Sequence, residues 1–151
     1  MLRAQLNDAL KAAMKAHDAR AVSTLRMVLA KLKDQDIAAR AKGNMSGIGD
    51  AEIQQMLQAM VKQRRESIAL YKQGNRPELV EQEEGEIAVI ERFMPKQLSD
   101  AEMEAAVADA IAATGAKSAK DMGRVMAVLR EKHAGQIDMA KAGAAAKARL
   151  G

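Results

Sequence analysis

The chain of 151 residues has no cysteine, no tryptophan, two prolines and two aromatics, Tyr71 and Phe93. The missing cysteine excludes disulfides, thiolate zinc sites and cysteine nucleophiles. With so few aromatics, the core must be aliphatic, and the eleven methionines suit irregular gaps between helices. No apolar run approaches the roughly 20 residues that a membrane span needs. The amphipathic amino terminus carries Asn7 and Asp8 and does not read as a signal peptide. The expectation is a soluble cytoplasmic protein.

Catalytic constellations are also missing. The two histidines, His17 and His133, fall at predicted helix carboxyl ends, where a positive group is favourable for structural reasons alone. The acidic run "EQEEGEIAVIE" (Glu81 to Glu91) contains no Glu-x-x-His pair, which a di-metal bundle site needs. It is expected to pair with "KQRRE" (Lys62 to Glu66) on the preceding helix. No serine sits in a nucleophile elbow. "GNMSGIG" (Gly43 to Gly49) lacks the Gly-Lys-Ser/Thr ending of a phosphate-cradling loop and reads as a flexible connection. No catalytic residue, metal or cofactor is assigned.

What the sequence has in quantity is helical period. Leu2, Leu6, Ala9, Leu10 and Ala13 form one stripe. Asp18 caps a second helix with Val22, Leu25, Val28, Leu29 and Leu32 inward. A third runs from about Asp50 to Lys72, with Ile53, Met56, Leu57, Met60, Val61, Arg64, Ile68 and Tyr71 along one side. Pro77 opens a fourth, inward at Leu79, Ile87, Ile90 and Phe93, which Pro95 stops at Phe93 or Met94. Ser99 and Glu102 form a capping box for a fifth helix, and Gly115 ends it. Ser118 caps the sixth, whose inward residues are Met122, Val125, Met126 and Leu129. Gly135 closes that helix, and Asp138 caps the seventh. The fold class is therefore all-α: an amino-terminal domain of four helices, residues 1–95, and a three-helix tail, residues 96–151.

Charge is unevenly spread. Residues 1–42 hold nine Lys/Arg against four Asp/Glu, and residues 110–151 hold eight against three. Residues 50–95 reverse this, with six against nine, as do residues 96–109, with one against four. Basic ends flanking an acidic middle point to a polyanion partner. Lys117, Lys120, Arg124, Lys132, Lys141, Lys147 and Arg149 crowd into 33 residues of the tail. Lys117 and Lys120 lie at a predicted helix amino end, where N–H groups and the dipole attract anions. Gly123 lies in the first turn beside the apolar stripe, allowing close packing against a helix such as the one carrying Gly143, or close approach of a phosphate. The region has no aromatic to stack an unpaired base, so a folded nucleic acid read by shape and backbone fits better.

The order of motifs resembles the GatB/YqeY family. "MVKQRRESIALYKQGNRPELVEQEEGEIAVIERFMPKQLSDAEM" (Met60 to Met103) is similar to the centre of free-standing YqeY-type proteins. "KDMGRVMAVLREKHAGQIDMAKAGAAAKARL" (Lys120 to Leu150) resembles the tail module shared with the GatB component of the bacterial tRNA-dependent amidotransferase. Lys120, Met122, Gly123, Arg124, Val125, Met126, Gly135 and Asp138 match the tail pattern, whereas the last helix departs from it in its wealth of Ala and Gly. The resemblance implies an all-helical protein whose tail helps to hold tRNA. It also implies an aminoacyl-tRNA synthetase or an amidotransferase as protein partner. It leaves three function classes to weigh: a non-catalytic tRNA-binding accessory protein, a carbon–nitrogen ligase using glutamine as amide donor (or a subunit of one), and a helical protein-interaction module. The expected assembly is a monomer.

Overall fold

A computed structural model describes all 151 residues and contains seven α-helices and no strand. They are α1 (Leu2–Lys15), α2 (Ala19–Ala41), α3 (Asp50–Gln73), α4 (Pro77–Glu91), α5 (Asp100–Thr114), α6 (Met122–Lys132) and α7 (Met139–Leu150). No helix is long and apolar enough to cross a membrane. The chain forms two compact units, Met1–Met94 and Pro95–Gly151.

In the amino-terminal unit, α2 packs on α1 and α4, and α3 lies along α4. The buried stripe positions meet in one core of Leu2, Leu6, Leu25, Val28, Leu32, Ile53, Leu57 and Ile90 with their neighbours. The Asp18 carboxylate accepts the Ala21 N–H at 3.1 Å and so caps α2. α4 stops at Glu91, short of the expected Phe93. Pro95 excludes helical backbone at Met94. The last turns tighten instead, Phe93 N–H donating to Ile90 at 3.1 Å and Met94 N–H to Glu91 at 3.1 Å.

The connection between α2 and α3 is not the loose segment that its glycines imply. The Asp36 carboxylate takes both guanidinium nitrogens of Arg3 and the Ile48 N–H at 3.0 Å. Arg3 then donates to the Ile48 carbonyl at 2.9 Å, and the Ile48 side chain enters the core. Gly47 has φ +84, and a Cβ there would lie 2.5 Å from an Asp36 carboxylate oxygen. Glycine is thus required both for the left-handed backbone and for the approach of Asp36.

The tail unit is a three-helix bundle with each helix packed on the other two. Its core is wholly apolar: Met103, Ala106, Val107, Ala110, Val125, Leu129, Ile137, Ala142 and Ala146. The Ser99 capping box is present, with Glu102 N–H donating to the serine hydroxyl at 3.1 Å and Ser99 N–H to the Glu102 carboxylate at 3.0 Å. Gly115 ends α5 in the left-handed region, and Asp138 caps α7 through the Ala140 N–H at 2.8 Å. Met122 and Met126, expected inward, are only half-buried, and Val125 and Leu129 hold the centre of α6.

Candidate nucleic-acid interface

The segment between α5 and α6 is organised by one carboxylate. Asp121 Oδ2 accepts from the Lys117 N–H at 2.9 Å and from the Ser118 N–H at 3.3 Å. Its other oxygen takes Arg124 Nη2 at 2.6 Å, while Arg124 Nη1 donates to the Thr114 carbonyl at 3.1 Å. The Lys117 N–H, then the Arg124 guanidinium, hold the Asp121 carboxyl below the usual carboxylate range. Arg124 therefore staples the end of α5 to the start of α6 and keeps its outer face exposed.

This arrangement corrects three expectations. Ser118 is the N-cap not of α6 itself but of a 3-10 turn, Ala119–Asp121, that leads into it; Asp121 precedes α6, and Lys120 lies in that turn rather than in the helix. The anion site expected at the amino end is partly filled by the chain itself, since Asp121 already takes the N–H groups of Lys117 and Ser118. Gly123 does not serve helix packing. It is exposed, and a Cβ built on it meets nothing within 4 Å. The thin surface of α7 comes from the fully buried Ala142 and Ala146, while Gly143 would place a Cβ at an ordinary 3.7 Å from Met126 Cε. Residue spacing alone misses these points because the 3-10 turn rotates α6 relative to an uninterrupted helix.

The tail's nine cations divide by partner, with Lys96 and Arg130 exposed and outside the predicted set. Arg149 pairs with Glu104 at 3.3 Å, and Arg124 with Asp121. Lys117, Lys120, Lys132, Lys141 and Lys147 are all exposed and enter neither pair. Lys117 and Lys120 stand together at the start of α6 with Arg124 and the open backbone at Gly123. Lys132 lies at the other end of α6, about 15 Å away by helical rise. Lys141 and Lys147 follow on α7, six residues apart. The structure thus places three of the seven predicted residues with Arg124 in one patch and distributes the rest over the surface of the bundle.

In the amino-terminal unit, Arg64 is the charged group that sequence pattern half reveals. It is 8% exposed. Its Nε donates to Glu86 at 3.0 Å, its Nη1 to the Met60 carbonyl at 3.1 Å, and Glu83 lies at 3.9 Å. Burial, then the like charge of Glu86, push the Glu83 carboxyl up against the opposing pull of Arg64. Arg65 reaches Glu91 at 2.8 Å. The acidic run of α4 is thus a pairing face for α3, as expected from its sequence. Two open hollows of about 350 and 410 Å³ flank α4, and the second includes Arg20, Ser23, Glu81 and Glu86. The Ser23 hydroxyl there donates to the Arg20 carbonyl at 3.3 Å. No three His, Asp or Glu side chains converge as metal ligands. His133 Nδ1 lies 3.2 Å from the Gln136 amide oxygen, at the end of α6.

A family profile described as "Yqey-like protein" matches residues 3–150. The chain belongs to the YqeY-like family. Among curated proteins it is similar to "Altered inheritance of mitochondria protein 41, mitochondrial" of Lachancea thermotolerans, at 32% identity over 108 residues. That alignment covers 70% of this chain and 56% of the relative, so the match spans little more than half of the longer protein.

Proposed function

We propose that this YqeY-like chain is a tRNA-binding accessory protein of aminoacyl-tRNA metabolism, with no catalytic centre of its own. The observation that carries the proposal is the set of exposed tail lysines outside the tail's arginine–carboxylate pairs, gathered most closely at Lys117 and Lys120. Lysine ammonium groups on flexible stems meet phosphates as point charges, and each phosphate neutralised releases counterions. The open backbone at Gly123 lets a phosphate come close without meeting a side chain. Arg124, held by Asp121, offers its outer N–H groups in a fixed orientation. Contacts of this kind position an RNA without reading its sequence, so many tRNAs should bind alike.

Filter binding of unfractionated tRNA at two salt concentrations tests the proposal. Retention at low salt that falls steeply at higher salt supports it. Salt-independent retention, or none, contradicts it and favours a protein-docking role. The purified chain should also fail to move an amide nitrogen from glutamine onto charged tRNA in the presence of ATP. Turnover abolished by changing one residue of this chain would reverse that expectation.

A further inference from the structure

The exposed side of α2 carries Arg26, Lys33 and Arg40 at seven-residue intervals. Seven residues make nearly two helical turns, so the three side chains form one row with about 10.5 Å between successive members. Between them on the same line lie Ala30 and Ile37, and all five are exposed. The row contains no carboxylate. The acidic groups nearby are mostly committed elsewhere: Asp36 to Arg3 and the Ile48 N–H, Glu86 to Arg64, and Glu91 to Arg65. Asp36 feels the charge of Arg40 without pairing with it, and Asp34 stands to one side of the row. Arg20, at the amino end of α2, differs: its side chain crosses Gly85 of α4 and faces the hollow that holds Glu81 and Glu86.

We propose that the Arg26–Lys33–Arg40 row of α2 is a second phosphate-binding surface, which takes the backbone of base-paired RNA independently of the tail patch. Three cations spread over about 21 Å of helix complement a continuous line of phosphates. A compact anion would meet only one of them. Neither aromatic of the chain lies on α2, which disfavours unpaired bases. A membrane surface needs a broad apolar face beside the cations. The apolar face of α2 is spent in the core, which leaves only Ala30 and Ile37 in the row and Met27 exposed beside it.

This inference rests on the tRNA-binding proposal and is tested in the full chain with fluorescently labelled unfractionated tRNA. Arg26→Gln/Lys33→Gln/Arg40→Gln should lower affinity about tenfold and flatten the slope of log affinity against log salt by about three units. Its unfolding midpoint should match that of the unchanged protein. Arg26→Lys/Arg40→Lys keeps the charges and should bind as the unchanged protein does. If the triple variant fails to fold, Lys33→Gln alone should still flatten the slope by about one unit. Unchanged affinity and slope in the triple variant, while Lys117→Ala/Lys120→Ala weakens binding, would leave the tail surface standing and overturn the second one. Loss of binding only to vesicles of anionic phospholipid would reassign the row to membranes. If the unchanged protein binds no tRNA, both proposals fall.

Discussion

In the amino-terminal unit, arginines turn toward carboxylates across helices: Arg3 to Asp36, Arg64 to Glu86 and Glu83, Arg65 to Glu91. In the tail, every residue of the core is apolar and all six lysines stay on the surface. Residues 1–94 hold fifteen Lys/Arg against thirteen Asp/Glu, and residues 95–151 hold nine against seven. Both units therefore carry the same excess, +2, and net charge does not distinguish them. What differs is where the paired charge lies: across helices, Arg64 in the core among them, in the first unit, and at the surface in the tail. The acidic α4 occupies cations of α3, whereas three of the tail's seven acids, Glu102, Asp121 and Asp138, serve as caps and turn anchors, and Glu104 pairs with Arg149. Availability for an external polyanion follows from the pairing rather than from the total.

The comparison breaks most visibly at Arg64. Arg64→Ala leaves Glu86 and Glu83 beside the core without their counter-ion, and should cost about 3–5 kcal/mol of stability. Urea denaturation measures it, and tRNA binding by folded protein should not change. The tail has no such ion to lose. Its counterpart is Leu129, where alanine opens a cavity and should cost about 2–5 kcal/mol. Amide exchange should then accelerate in α5–α7 and stay unchanged in α1–α4. Equal acceleration in both would show that the two units unfold together.

The pH dependence should differ as well. Glu83 holds its proton more tightly folded than unfolded. Stability from this group is therefore lost as pH rises above about 4.3 and through the raised folded value. Glu83→Gln fixes the uncharged state, so its stability relative to the unchanged protein should rise with pH across that window. Asp36 has the opposite sign: Arg3 holds it low, and its contribution is lost as pH falls below about 3.9. The shifted carboxyls of the tail, Glu102 and Asp121, are both lowered, so the tail should weaken only toward acid.

How much of the molecule is legible in the sequence depends on the range of each interaction. Caps at Asp18, Ser99 and Asp138, the stop at Gly115 and the inward stripes of α1 and α3 involve residues a few positions apart, and all are present in the structure. The link from Arg3 to Asp36 joins residues 33 apart, so by sequence the loop after α2 reads as loose, although it is held. Gly123 could equally face a helix or solvent by spacing alone, because the 3-10 turn at Ala119–Asp121 sets the rotation of α6. Asp121 reads as one more acidic residue in a basic segment. Only its geometry makes it the anchor of Arg124 and a competitor for the same N–H groups that an incoming anion would use.

That competition gives the smallest predicted effect, and one of opposite sign. Asp121→Asn removes a negative charge beside Lys117 and Arg124 and should tighten tRNA binding about twofold, the scale of a surface substitution near 0.5 kcal/mol. Weaker binding would mean that the turn itself, held by the carboxylate, is what the RNA requires.

The central claim is that the unpaired lysines of the tail, rather than net charge, hold the RNA. It is tested most directly by the salt dependence of tRNA affinity for Lys117→Ala/Lys120→Ala beside the unchanged protein, read by fluorescence anisotropy. Removing two phosphate-binding ammonium groups should flatten the slope of log affinity against log salt by about two units. The weakening should be similar for different tRNAs, and the unfolding midpoint should stay within the range of a surface change. A double variant with the affinity and the slope of the unchanged protein would contradict the claim.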